Sequence, residues 1–142
     1  LMRIQMGYPD AKAERGLLSG VDRREIVAQL QPQMESAELL SLQQRVRKVF
    51  VSPALLDYVQ AILRYTRESS RYIHGLSPRA GLALLSAARA WTLLDERDAV
   101  TPEDIQAILP GVVSHRLQAL GEYSKQSDET MTRELIEAIA IP

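Results

Sequence analysis

Three times this chain sets a hydroxyl residue directly before a proline at the head of an apolar run: Ser52-Pro53, Ser77-Pro78 and Thr101-Pro102. A hydroxyl at the N-cap satisfies one of the N–H groups that a first helical turn leaves unpaired. Proline at the next position has no N–H to waste, and its φ is already helical. Each pair therefore predicts a helix start. Behind Ser52 the apolar residues Leu55, Leu56, Val59, Ile62 and Leu63 fall on one face. Behind Ser77 the steps of three and four run through Ala80, Ala83, Leu84, Ala87, Ala88, Trp91 and Leu94. Leu82, Leu85 and Leu93 make that second helix apolar nearly all round, which predicts the central, most buried element with Trp91 in its core. Behind Thr101 come Ile105, Ile108 and Leu109; Pro110 then ends the helix or starts a new turn, and Val112, Val113 and Leu117 continue the face.

The rest of the chain is helical with weaker punctuation. Asp10 is a good N-cap for a short stripe of Ala13, Leu17, Leu18 and Val21. Between Gly20 and Pro32 no clean face forms, so a connecting loop with room for one helical turn is expected. A further helix over Ser36 to Lys48 aligns Leu39, Leu42, Val46 and Val49. Residues Gly121 to Thr130 read as a polar, flexible loop. Arg133 to Ile141 reads as a last amphipathic helix carrying Leu135, Ile136 and Ile139. The fold class is all-α, a bundle of five to seven helices.

Composition bounds the function. At 142 residues and 46% apolar, the chain can bury the core of one domain. A net charge of −1 argues against coating nucleic acid or an anionic membrane by bulk charge. With no cysteine there is no disulfide, thiolate metal site or cysteine nucleophile. No apolar run approaches the ~18 residues that span a bilayer, and the first residues lack the form of a signal peptide. A cytoplasmic chain is expected, and a start at Leu1 rather than Met suggests a piece of a longer protein.

Catalytic signatures are missing. Neither G-x-x-x-x-G-K-[ST] nor G-x-G-x-x-G occurs, so no phosphate cradle is encoded here. His74 and His115 lie far apart with no metal-ligand spacing, and no metal site is expected. Asp95-Glu96-Arg97-Asp98 reads as a solvated turn between helices. Arginine outnumbers lysine 14 to 3, mostly on solvated helix faces such as Arg64 near Glu68. Arg79 stands apart. It occupies the second position of the helix opened by Ser77 and Pro78, where the macrodipole disfavours a cation. Either it swings out to a carboxylate or to water at negligible cost, or it joins free N–H groups in an anion site.

Gly75-Leu76-Ser77-Pro78-Arg79-Ala80, followed by Leu82-Ala83-Leu84-Leu85-Ser86-Ala87-Ala88-Arg89-Ala90, resembles the sensor-2 region of MoxR-type AAA+ ATPases. Val51-Ser52-Pro53-Ala54-Leu55-Leu56-Asp57-Tyr58-Val59, Val100-Thr101-Pro102-Glu103-Asp104-Ile105 and Ser114-His115-Arg116-Leu117 fit the same family in order and spacing. Tyr8-Pro9-Asp10 resembles the junction where such proteins leave the nucleotide-binding core. The resemblance covers about residues 1–120. It implies that residues 1–9 are the junction from an upstream nucleotide-binding domain, 10–120 the helical lid, and 121–142 a flexible loop and C-terminal amphipathic helix.

The resemblance further implies that the parent protein uses ATP and Mg2+. Arg79 would be the sensor-2 arginine that reaches the γ-phosphate; for Tyr8, packing at the hinge is the favoured reading and a place near the adenine the other. The nucleotide-binding loop, the magnesium-binding strand and the arginine finger have no counterpart here, so this segment holds no catalytic residue and binds no nucleotide by itself. The implied partners are the upstream core, further copies in a hexamer, and a client bearing a von Willebrand factor A domain. Chaperone-like maturation of such clients is the implied function. Two other readings stand beside this one: the lid of a magnesium-chelatase-type subunit, and a stand-alone helical module for protein or DNA.

Overall fold

A computed structural model describes residues 2–20, 22–121, 123 and 127–141. Its described residues form seven α-helices: α1 (Ala11–Ser19), α2 (Arg23–Gln29), α3 (Ser36–Lys48), α4 (Pro53–Glu68), α5 (Pro78–Leu94), α6 (Pro102–Val113) and α7 (Asp128–Glu137). Among the described residues there is no strand, and the isolated bridges are Phe50 with Ala99 and Tyr72 with Ala119. The chain is all-α, as the periodicity requires.

The hydroxyl–proline pairs start α4, α5 and α6 where expected. Ser52 Oγ accepts the Leu55 N–H at 3.1 Å, and Ser77 Oγ accepts the Ala80 N–H at 3.3 Å. At the third start the N3 carboxylate takes part, with the Thr101 N–H donating to Asp104 Oδ2 at 2.9 Å. Asp10 caps α1 through the Ala13 N–H at 2.7 Å.

The core gathers between α4, α5, α6 and α7. Helix α6 is the most buried element: Ile105, Leu109 and Val112 have no exposed surface, and Ile108 and Val113 have 1%. Helix α5 is central, touching α3, α4 and α6, yet its buried side is made of small residues, namely Ala80, Gly81, Ala83 and Ala88 with Leu84 and Thr92. The expectation that α5 is the most buried helix is therefore corrected. Leu82 and Leu94 on its outer side are exposed, by 70% and 81%.

Trp91 is also corrected: it is 46% exposed. Near the end of α5 the inward direction is held by Ala88 and Thr92, and Trp91 lies about 100° round the helix from Thr92. We therefore expect Trp91→Ala to cost about 1 kcal/mol or less, against the ~3–5 kcal/mol typical of a buried aromatic. Urea denaturation of the variant beside the parent checks this.

Further corrections concern boundaries. Residues Gly20 to Pro32 are not merely a loop, because Asp22 accepts the Arg24 N–H at 2.9 Å and opens α2. Pro110 lies inside α6 rather than ending it; burial of Val112 and Val113 offsets the hydrogen bond a mid-helix proline removes. The last helix starts at Asp128, earlier than expected, because Ser127 Oγ accepts the Thr130 N–H at 3.2 Å and Met131, Thr132 and Leu135 are buried. Residues 127–130 are thus helix start, not loop; Glu122 and Ser124 to Gln126, also assigned to that loop, lie outside the described residues, as do Leu1, Val21 and Pro142.

The stripe on α1 does not enter the core, and that of α3 does so only at Val49, just past the helix end, which is 5% exposed. No residue of α1, α2 or α3 is buried, and Leu17, Leu18, Leu39 and Leu40 are each at least half exposed. Helix α3 instead leans on α5 with Leu42 and Val46 half-buried.

Candidate functional site

Arg79 stands at the second position of α5, as its place after Ser77 and Pro78 dictates. It is exposed and makes no hydrogen bond or ion pair with any described residue. It is thus not turned to a carboxylate among the described residues, and its exposure suits a side chain in water as well as one open to an anion. The surrounding helix start is built firmly. On α4 the apolar stripe Leu55, Val59, Ile62 reaches Thr66 at the next step of four, and Thr66 is 1% exposed. Its Oγ1 donates to the Leu63 carbonyl at 2.8 Å and accepts the Leu76 N–H at 3.0 Å. One residue on, Arg67 Nε donates to the Leu76 carbonyl at 2.8 Å. Both backbone polar groups of Leu76 are thus held by neighbouring side chains of α4, one residue before the N-cap of α5.

Gly75 completes the contact. A Cβ there would lie 2.5 Å from Arg67 Cα and 2.7 Å from Arg67 N, and the obstruction is backbone that cannot turn aside. Gly75→Ala should therefore push the loop off α4 and cost about 1–3 kcal/mol, the usual range for overpacking. A fall in Tm on thermal melting checks it; an unchanged Tm would show that the loop can relax.

Tyr8 is 101% exposed in the irregular segment before α1. A ring so exposed touches neither Arg79 nor the core, so the two residues singled out are not brought together. Nearby, Arg3 ties the opening segment to the bundle: its N–H donates to the Gly111 carbonyl at 2.7 Å and its guanidinium pairs with Asp128.

The Asp95-to-Asp98 turn is more than a solvated corner. Helix α5 ends in a Schellman motif, with the Glu96 N–H on the Leu93 carbonyl at 3.1 Å and the Arg97 N–H on the Thr92 carbonyl at 3.0 Å. Glu96 takes the left-handed position, φ 55°. The turn delivers Arg97 to Asp104, which is 3% exposed. Asp104 also accepts from Thr92 Oγ1 and the Thr101 N–H, each at 2.9 Å. Burial pushes the Asp104 carboxyl up, but hydrogen bonds from Arg97, Thr101 and Thr92 overcome this and hold it at about 2. The bonds to Asp104 and then to Asp95 raise the Arg97 guanidinium.

His74 and His115 are both exposed. Slight burial, then the charges of Arg116 and Arg3, lower His115. No group of three His, Asp or Glu side chains able to hold a metal occurs among the described residues. No helix among them is long and apolar enough to cross a membrane.

A family model for the AAA lid domain matches residues 64–139, more than half of the chain. The chain belongs to the AAA lid domain family. It is 32% identical over its full length to the chaperone MoxR1 of Mycobacterium tuberculosis, spanning 40% of that protein, and 34% identical over 61% of its length to the protein MoxR of Paracoccus denitrificans, spanning 29% of it. The likeness to these relatives fits a lid of the MoxR-type AAA+ class. The uncharacterized protein YeaC of Bacillus subtilis is 31% identical over the whole chain, which spans 45% of it. The chain thus spans less than half the length of these relatives. A solved structure from Cytophaga hutchinsonii, assigned as an ATPase, superposes with a TM-score of 0.81 at 24% identity, covering 99% of this chain and 46% of that one; this likeness bears on the fold alone.

The sequence reading missed Thr66, Arg67 and Gly75. Thr66 carried a signal, since a hydroxyl where the α4 stripe calls for an apolar residue needs a buried partner. Gly75 carried none, because a close backbone approach has no local signature.

Proposed function

We propose that this chain is the lid of a MoxR-type ATPase, closing over ATP held by an upstream α/β core, with Arg79 as the sensor-2 arginine at the terminal phosphate. The observation that carries the reading is the exposed, unpaired guanidinium of Arg79 on a rigidly built helix N-terminus. With Pro78 lacking an N–H and those of Ala80 and Gly81 taken by Ser77, the guanidinium of Arg79 and its own N–H are what this helix end offers a phosphate oxygen. Because the third phosphate distinguishes ATP from ADP, a contact made only to it favours the closed lid in one nucleotide state and not the other.

The described residues suit one phosphate group. They offer no ligand set for Mg2+, which would belong to the core together with the water-activating groups. Tyr8, in the segment before α1, would lie at the hinge beside the adenine. Bound ATP would supply the hydrolysable bond; this chain's part is to orient that phosphate and to turn its presence into a lid angle. The exposed apolar residues of α1, of α2 and of its C-cap, among them Leu18, Val27 and Leu30, support a face that meets another domain. Residues 1–9 would form the junction, 10–120 the lid, and 121–142 a loop and closing helix. Assembly as a cytoplasmic hexamer and chaperone-like action on clients with von Willebrand factor A domains complete the proposal.

The upstream reading frame tests it. A G-x-x-x-x-G-K-[ST] loop between a strand and a helix is expected there. Its absence would leave a helical interaction module and remove the role of Arg79.

A further inference from the structure

We propose that Thr66 and Arg67 of α4 are positioning residues for Arg79: they clamp Leu76 and so fix the direction in which α5 presents its first turn. The inference rests on the sensor-2 reading of Arg79 and adds residues that touch no nucleotide themselves. Leu76 is 2% exposed, and its N–H and carbonyl bond to two consecutive side chains of one helix. Thr66 is in turn anchored on the Leu63 carbonyl, so the hydroxyl has one orientation that satisfies both partners. Gly75 lets the loop lie directly on the Arg67 backbone. From Leu76 to Arg79 the chain passes only through the N-cap Ser77 and the φ-locked Pro78, which leaves little freedom to absorb a shift.

The clamp has a functional reading beyond stability. The whole loop need only be held somewhere on α4 for the fold to persist, and the burial of Leu76 and Ala80 does that. Holding both polar groups of Leu76 also fixes rotation about the chain, and rotation decides where a long side chain three residues later points. A displacement of about 1 Å is enough to cost a positioned contact as much as a hundredfold in rate. Movement of the α4 C-terminus would reach Arg79 by the same route.

The test uses the full-length, nucleotide-free protein and two probes, a non-hydrolysable ATP analogue and ADP. Thr66→Val keeps the shape and removes both hydrogen bonds; Thr66→Ser keeps them. In Thr66→Val, amide exchange at Leu76 should speed up at least tenfold, and the preference for the analogue over ADP should fall toward that of Arg79→Ala, with ADP affinity unchanged. Thr66→Ser should restore both. Adding Thr66→Val to Arg79→Ala should lower the preference no further, since the clamp acts through Arg79.

If Thr66→Val fails to fold, Arg67→Ala takes its place; Arg67 is exposed, and the same loss of preference is expected. A full preference in the clamp variants beside a lost one in Arg79→Ala would overturn the clamp alone. So would a double variant well below Arg79→Ala. An unchanged preference in Arg79→Ala would overturn the sensor-2 reading, and the clamp with it.

Discussion

Arg79→Ala in the full-length protein is expected to lower ATP turnover about a hundredfold, the scale of removing one preorganised donor from a developing charge, while this domain stays folded. The two halves of that expectation have separate grounds. Arg79 is exposed and has no partner among the described residues, so the fold loses no contact with it. Removing a cation from the first turn even relieves an unfavourable dipole interaction, by about 0.3–1 kcal/mol. A large activity loss with an unchanged or slightly raised Tm is therefore the signature of a side chain kept for a ligand. Steady-state ATPase assays and a melt on the same preparation measure both. Activity within twofold of the parent would remove Arg79 from the site.

The largest stability effect belongs to Asp104. Asp104→Ala should destabilise the domain by about 2–3 kcal/mol, the scale of hydrogen bonds to a charged group; the Arg97 it leaves behind is partly exposed and keeps Asp95. Arg97 and Thr92 lose one of their acceptors, the Thr101 N–H loses its bond, and α5 loses its tie to the start of α6. The same carboxylate predicts a pH dependence. Its pKa is depressed to about 2, so its contribution is complete above the unfolded value of about 3.9 and is lost as pH falls through about 2. With Arg97 partly open to solvent, that contribution amounts to about 1–2 kcal/mol. Urea titrations at pH 6 and at pH 3 should separate parent from Asp104→Ala less at the lower pH. An equal gap at both would mean that Asp104 acts by packing rather than by charge.

The parts of the fold readable from the chain are those set by local chemistry. Ser52-Pro53, Ser77-Pro78 and Thr101-Pro102 start helices because capping and a fixed φ need no tertiary help, and α3 runs over Ser36–Lys48 as its pattern requires. What escaped depends on which neighbour a face meets. Trp91 and Leu94 belong to an apolar pattern, but no helix among the described residues covers that side of α5. Helix α2 has no core face to reveal it and rests on its Asp22 cap. Pro110 reads as a break until the burial of Val112 and Val113 is known. Near the proposed site, the place of Arg79 at a helix start was legible from the Ser77-Pro78 signal. Gly75 and Arg67, whose roles depend on a neighbouring backbone, were not.

In the proposed role, Arg79 makes this lid responsive to the third phosphate. The most direct test of that role is the ratio of affinities for a non-hydrolysable ATP analogue and for ADP, in full-length parent and in Arg79→Ala. The parent should favour the analogue, and the variant should lose that preference through weaker analogue binding, with ADP affinity unchanged. A variant that keeps the parent's ratio would contradict the claim.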